Sequence, residues 1–318
     1  MKHLIAVLLS LCAGLPVAGA AEKIRIGFPD LAAQFLPLPL AEMKGFFQEE
    51  GLQAEFIRIR PAISSAAIVA GELDYDAVIG NGIGAAIRGF PVKIVASFVP
   101  AAPMALIARP EFKSVPELRG KAIGLNTYGG TLESIGRLIF KHYGLDPDKD
   151  AKFLPTGTLD SRFAAMKQGL TAATLGSPPI DFLGKKLGFV VLARAHELFN
   201  FPASGLVASM RKIKEKPDEI KRVIKAGIKA NRYIQQNREG TLPVMTAWLK
   251  IDKEIAAVTY DSVVKAFNDD GGVPENGLRL GIDEARRVGK VDREVSLSEV
   301  ADLAILREAQ KELGIKAK

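Results

Sequence analysis

Residues 71–96 read GELDYDAVIGNGIGAAIRGFPVKIVA, and the fold class turns on them. Tyr75 to Ile79 reads as a strand, Gly80-Asn81-Gly82 is a glycine-rich loop, Gly82 to Arg88 has helical spacing, and Val92 to Phe98 is strand again. Gly71 closes a preceding helix, Ser64 to Ala70. Strand, helix and strand within so short a stretch make a βαβ unit and a largely parallel sheet. Upstream, the spacing predicts strands at Ile24 to Gly27 and Gln53 to Ile59, with a helix from Leu38 to Phe47 between them.

Downstream of Pro110 the scheme restarts. The pattern predicts strands at Lys121 to Leu125, Lys152 to Leu154, Ala172 to Leu175 and Val190 to Ala193. Helices alternate with them at Thr131 to Tyr143, Ser161 to Gln168 and Ile180 to Lys186. The order Gly169-Leu170-Thr171-Ala172-Ala173-Thr174, loop, helix, Leu187 to Ala193 echoes the opening stretch. Two lobes built alike follow from this. Met104 to Ala108 and Gly205 to Ser209 read as paired crossing strands linking them. Beyond these the chain turns helical. Pro217 at a first-turn position, with Asp218 and Glu219 beside it, opens a helix running through Ile220, Val223, Ile224, Gly227, Ile228 and Asn231. Helices around Leu242 to Leu249, Lys253 to Phe267 and Ser296 to Leu313 are expected to wrap back. The expected division is therefore 21–108 plus 205–318 for a discontinuous first lobe, and 109–204 for the second.

The first twenty residues read as a signal peptide: Lys2 and His3, an apolar run from Leu4 to Leu11, then the small-x-small site Ala18-Gly19-Ala20. That run falls far short of the ~20 residues a permanent membrane anchor needs. The only cysteine, Cys12, lies within these first twenty residues. A lipid anchor at Cys12 is disfavoured by the bulky Leu11, so free export to the periplasm is the expectation. Roughly 297 residues remain, two domains' worth at ~150 each. The net charge of +7 is spread among interleaved acids, as in Lys212-Ile213-Lys214-Glu215-Lys216. No basic block with aromatics points to nucleic acid; a basic surface at most favours approach of an anionic solute.

Enzyme readings find little support. Gly80-Asn81-Gly82-Ile83-Gly84-Ala85 follows a strand and opens a helix, as a dinucleotide fingerprint does, yet no Asp or Glu lies between Ala77 and Pro110 to take the ribose. Only His142 and His196 remain beyond the leader, with no Gly-x-Ser-x-Gly elbow. No cofactor and no metal are expected.

Several phrases, in order, resemble one family: Leu38-Pro39-Leu40-Ala41-Glu42-Met43-Lys44-Gly45-Phe46-Phe47 with Gly51-Leu52, Gly71-Glu72-Leu73-Asp74, Gly89-Phe90-Pro91-Val92-Lys93, and Leu118-Arg119-Gly120-Lys121-Ala122-Ile123-Gly124. The likeness is to the nitrate/sulfonate/taurine (SsuA/THI5-like, NMT1-like) group of ABC-transporter solute-binding proteins and covers nearly the whole chain beyond the leader. It implies a type II periplasmic-binding fold, α/β with two doubly wound lobes joined by two crossing strands. It also implies a monomer that closes on a small molecule and passes it to an inner-membrane permease. Thr171 departs from the pattern, standing where an acid is usual in the second lobe.

Loops at the carboxyl ends of strands face a common crevice in such sheets, and helix N-termini there suit anions. The strongest candidate is Asn126-Thr127-Tyr128-Gly129-Gly130-Thr131: paired glycines for close approach, two hydroxyls, and the flat face of Tyr128. Asp160 and Ser161 follow in the next loop, and Ser177 sits on the Gly176-Ser177-Pro178-Pro179 corner. From the first lobe, Gln34, Ser64, Asn81 and Gly82 face the gap. Arg60, at a strand end, is placed to hold a carboxylate or sulfonate bidentately. The expected ligand is a small organic anion of the sulfonate or carboxylate class. Tyr128, Phe28 and Phe35 motivate the alternative of a neutral aromatic or thiamine-precursor-like heterocycle, and a sensor presenting its loaded state to a membrane receptor is the alternative to transport.

Overall fold

The computed structural model describes residues 21–126 and 128–316; the proposed leader, Cys12 and Thr127 lie outside them. Two five-stranded sheets organise the molecule. The first contains β1 (Glu22–Phe28), β2 (Leu52–Arg58), β3 (Tyr75–Val78) and β4 (Val92–Val99). The second contains β5 (Ala105–Ala108), β6 (Lys121–Leu125), β7 (Ala151–Pro155), β8 (Ala173–Gly176) and β9 (Val190–Arg194). β10 (Ser204–Ser209) returns to the first.

Strand order is β2-β1-β3-β10-β4 in one sheet and β7-β6-β8-β5-β9 in the other. Each sheet has parallel strands plus one antiparallel strand inserted between its last two members. The lobes are thus built alike, as the echo between the sequence halves indicates. The crossing differs from expectation on two points. β5 pairs with β8 and β9, and β10 with β3 and β4, so the two crossing strands do not pair with one another. β5 therefore belongs to the second lobe, and the crossover precedes Ala105 rather than following Ala108. The physical reason is that all four residues of β5 are buried and complete the hydrogen bonding of β8 and β9.

Helices cover both faces of the sheets. In the first lobe they begin with α1 (Pro37–Met43), α2 (Phe46–Glu49), α3 (Pro61–Ala70) and α4 (Ile79–Ile87); the second lobe carries α5 (Thr131–His142), α6 (Leu159–Lys167), α7 (Ile180–Lys186) and α8 (Ala195–Leu198). The chain then runs through α9 (Met210–Glu215), α10 (Pro217–Gln236), α11 (Arg238–Leu249), α12 (Lys253–Val263), α13 (Glu275–Gly289), α14 (Leu297–Val300) and α15 (Ala304–Glu312). α10 starts as its sequence reads, with Pro217 in the first turn and Asp218 and Glu219 at its positive end. It lies against the first sheet: Tyr75 donates from its hydroxyl to Glu219 at 2.8 Å, and Asn231 donates to the Phe98 carbonyl at 2.7 Å. Lys212 bridges Asp74 and Glu219 at 2.8 and 2.7 Å, so this buried carboxylate is paired rather than stranded. The single helix expected from Ser296 to Leu313 is two, broken at Ala301, whose backbone is extended and bridges to Ile94. α13 was not expected at all.

Candidate functional site

A cavity of about 850 Å³ lies between the lobes, lined from both. Its walls are the ends of strands and the starts of the helices that follow. From the first lobe come the segment after β1, including Asp30, Gln34 and Phe35, Arg58 at the end of β2, and Gly80 and Asn81 in the first turn of α4. From the second come Tyr128 to Leu132 at the start of α5, Gly157 to Leu159 and Arg162 at the start of α6, and the Gly176-Ser177-Pro178-Pro179 corner. The lobes nearly touch beside it: a methyl group added at Gly80 would lie 3.7 Å from the Thr131 hydroxyl.

Helix geometry explains why these residues meet. The first N–H groups of a helix have no partners within it and carry the positive end of its dipole. α4, α5 and α6 all present that end to one cavity. At α5, Gly129 has a positive φ of 68° and donates its N–H to Glu133 at 2.7 Å, which folds the loop back on its own helix. A side chain at Gly129 would be strained by that φ and would crowd Val288 at 3.2 Å.

The charges are mixed. Arg58, Arg88 and Arg162 line the cavity together with Asp30 and Glu284. Glu284 is already engaged by Lys141 at 3.3 Å and Arg287 at 3.0 Å. Asp30 is open to the water of the cleft yet ringed by protein; this desolvation raises its pKa, against the opposing pull of Arg58 and Arg162. Burial pushes the Arg162 pKa down, with Asp30 acting against it. Arg162 is only 7% exposed, donates one guanidinium N–H to the Gly157 carbonyl at 2.8 Å, and has a buried Nε without a partner. Gln34, equally buried, has an unpartnered Oε1. Such groups cost free energy unless something pairs with them.

Of the residues anticipated from sequence, Gln34, Asn81, Tyr128, Gly129, Gly130, Thr131 and Ser177 line the cavity. Thr127 lies outside the described residues. Five do not line it. Ser64 is fully buried and donates its hydroxyl to Asp76, leaving the neighbouring Ser65 on the wall. Gly82 faces β10, where a methyl group would meet Val207 at 2.6 Å; it is glycine for packing. Arg60 stands past the end of β2 as the residue capping α3, so Arg58, at the strand's last position, takes the wall instead. Asp160 and Ser161 are exposed in the first turn of α6 but do not reach the wall. Thr158 is the N-cap, accepting from the Ser161 N–H at 3.3 Å, which turns Leu159 and Arg162 inward.

Sequence reasoning also missed α13, whose Gly281, Glu284, Ala285, Val288 and Gly289 close one side of the cavity. Pro274 before it, Glu275 in its first turn and Arg286-Arg287 in its last were the available signals.

Comparison with known proteins agrees with this architecture. The family model described as NMT1/THI5 like matches residues 32–240. BAB2_1146 of Brucella abortus (strain 2308), provisionally named a binding protein, is 30% identical over 221 residues, 67% of each chain. The periplasmic aliphatic sulphonate binding protein SsuA of Escherichia coli superposes with a TM-score of 0.70 at 16% identity, over 88% of this chain and 92% of its own. The periplasmic nitrate-binding protein NrtA of Synechocystis PCC 6803 does so with 0.71 at 14% identity, over 92% and 89%. The phrases from Leu38 to Gly124, the paired sheets and the match across most of the chain agree: this protein belongs to the NMT1/THI5 like family.

Proposed function

We propose that this chain is an exported solute receptor that captures a small organic anion of the sulfonate or carboxylate class between its lobes and delivers it to an ABC permease, performing no chemistry on it. The observation that carries this reading is the convergence of three helix N-termini and the buried Arg162 on one cavity shared by both lobes. Backbone N–H groups and a guanidinium suit the oxygens of an oxyanion. The names of SsuA and NrtA, proteins for sulphonate and nitrate, favour the same ligand chemistry. Export rests on the leader-like first twenty residues; among the described residues no helix is long and apolar enough to cross a membrane. A charge-assisted hydrogen bond is worth roughly 1.5–3 kcal/mol net, so a few of them supply much of the ~8 kcal/mol of micromolar binding. Contacts to both lobes are what favour closure, since a ligand touching one lobe alone shifts nothing.

Thermal-shift screening against alkanesulfonates, short carboxylates, nitrate and pyrimidines tests the proposal. An anion at 100 times its dissociation constant stabilises the fold by about 2.7 kcal/mol. Tyr128, 60% exposed on the cavity wall, favours the second reading, a flat heterocycle stacked on its ring. Melting shifted by uncharged ring compounds alone selects that reading and rejects the anion.

A further inference from the structure

One side chain on the first lobe's wall is oriented from behind. Asp76, in β3, is 2% exposed and accepts three hydrogen bonds: from the Ser64 hydroxyl, from the Val78 N–H at 2.8 Å, and from the Asn81 side-chain Nδ2 at 3.3 Å. No lysine, arginine or histidine bonds it among the described residues. An ionised carboxylate only accepts hydrogen bonds, so the NH₂ end of Asn81 is the end that faces it. The reverse orientation would set one acceptor oxygen against another. Asn81 itself stands in the first turn of α4 and lines the cavity.

We infer that Asp76 is a positioning residue that turns the Asn81 carbonyl Oδ1 toward the cavity, so that the first lobe selects a solute carrying an N–H or O–H donor beside its anionic group. The inference rests on reading the cavity as the solute site. Asp30, on the same wall, is a second acceptor for such a donor. Arg58 and Arg88 also line this wall, so an anion alone still finds attraction there; the selection falls on the donor. Asn81 would otherwise be taken only for a donor to the anion; one of its two amide hydrogens is committed to Asp76, and its Oδ1 can only accept. A buried acceptor facing a methyl group is left unpaired, and that loss is the discriminating step.

Isosteric pairs test this by titration calorimetry: 2-hydroxyethanesulfonate against 1-propanesulfonate, and 3-hydroxypropionate against butyrate. Assays run at pH 8, where Asp76, its pKa lifted to about 6 by burial, is ionised. The hydroxylated member of each pair is expected to bind about tenfold tighter or more, the equivalent of one hydrogen bond. Asn81→Ala and Asp76→Asn should each bring that ratio to within about twofold, whereas a purely structural defect would weaken both members of a pair equally. Asn81→Ala removes only the amide, so it reports even where Asp76→Asn folds poorly. Equal affinities within each pair in the unaltered protein, or a ratio that survives both substitutions, overturn the inference and leave the solute-receptor reading standing. Binding of none of the four anions overturns the anion reading, and this inference with it.

Discussion

Arg162 shows how much the surroundings of one residue change its meaning. In the sequence it is a charge on a short helix, the usual mark of a solvated face. In the fold it is nearly buried, with its Nε lacking a partner on the wall of the interlobe cavity. Replacing it with glutamine should weaken binding of the best anion from the screen by tenfold or more, the fold-change matching a lost charge-assisted hydrogen bond of about 1.5–3 kcal/mol. Arg60→Ala, off the wall, should stay within about twofold; the reverse ranking in calorimetry would place the anion elsewhere. Asp76 makes a separate prediction about stability. Its folded pKa, about 6, stands above the ordinary 3.8 because burial disfavours the charge. Between those values the native state holds more protons than the unfolded one, so stability falls as pH rises through that window. Two pKa units correspond to ~3 kcal/mol. Urea unfolding of the unaltered protein and of Asp76→Asn should show a stability difference that shifts by up to that amount against the unaltered protein between pH 4 and 6. A constant difference across that range would mean that Asp76 does not titrate there.

The helices divide by how they bury themselves. α5 and α10 carry apolar stripes at helical spacing and were legible, as were all the parallel strands, because large side chains meet one another at a fixed period. α13 was not. Its buried residues are Gly277, Leu278, Gly281, Ile282 and Glu284, and neither glycine nor a carboxylate carries a hydrophobic signal. It approaches α4 through its buried face, where a methyl group at Gly281 would meet Ile83 at 2.7 Å. The same close approach recurs at Gly227 of α10, beneath Phe98 of β4: an added methyl would lie 2.1 Å from the ring. Gly227→Ala therefore sets two effects against each other. Alanine gains about 1 kcal/mol of helix propensity over glycine. Overpacking a fixed aromatic ring costs typically 1–3 kcal/mol, at the upper end when no side-chain rotation relieves it. The clash should win, lowering the melting temperature by a few degrees. A variant that melts at or above the parent would show that α10 can back away from the sheet. Sheet membership was the other illegible feature: β5 is an apolar run that would suit either lobe, and only its partners, far away in sequence, assign it.

At the scale of the whole molecule, α13 does more than close a wall. It belongs to the chain after the second crossover, yet it reaches α5 in the other lobe through Lys141–Glu284 at 3.3 Å and Arg287–Glu133 at 3.8 Å. Glu133 in turn holds the Gly129 N–H in the cavity loop. These pairs exist only while the lobes stand as described, so they favour the arrangement in which a ligand can touch both sides. Lys141 is half exposed while Glu284 is buried, and since Arg287 still pairs with that acid, losing the lysine alone is taken at the scale of an exposed pair, about 0.2–1 kcal/mol. Glu284 keeps Arg287 at 3.0 Å when Lys141 is removed, so Lys141→Ala strands no buried charge and should leave the fold intact. Its consequence belongs to the equilibrium between lobe arrangements: a smaller binding-competent fraction raises the apparent dissociation constant in proportion. The substitution should weaken binding of the screened anion by roughly 1.5- to 5-fold at low salt. In 1 M salt, where charges are screened within ~3 Å, the two proteins should converge. A difference that persists undiminished at high salt, or an unchanged affinity at low salt, would remove the Lys141–Glu284 pair from the closure equilibrium.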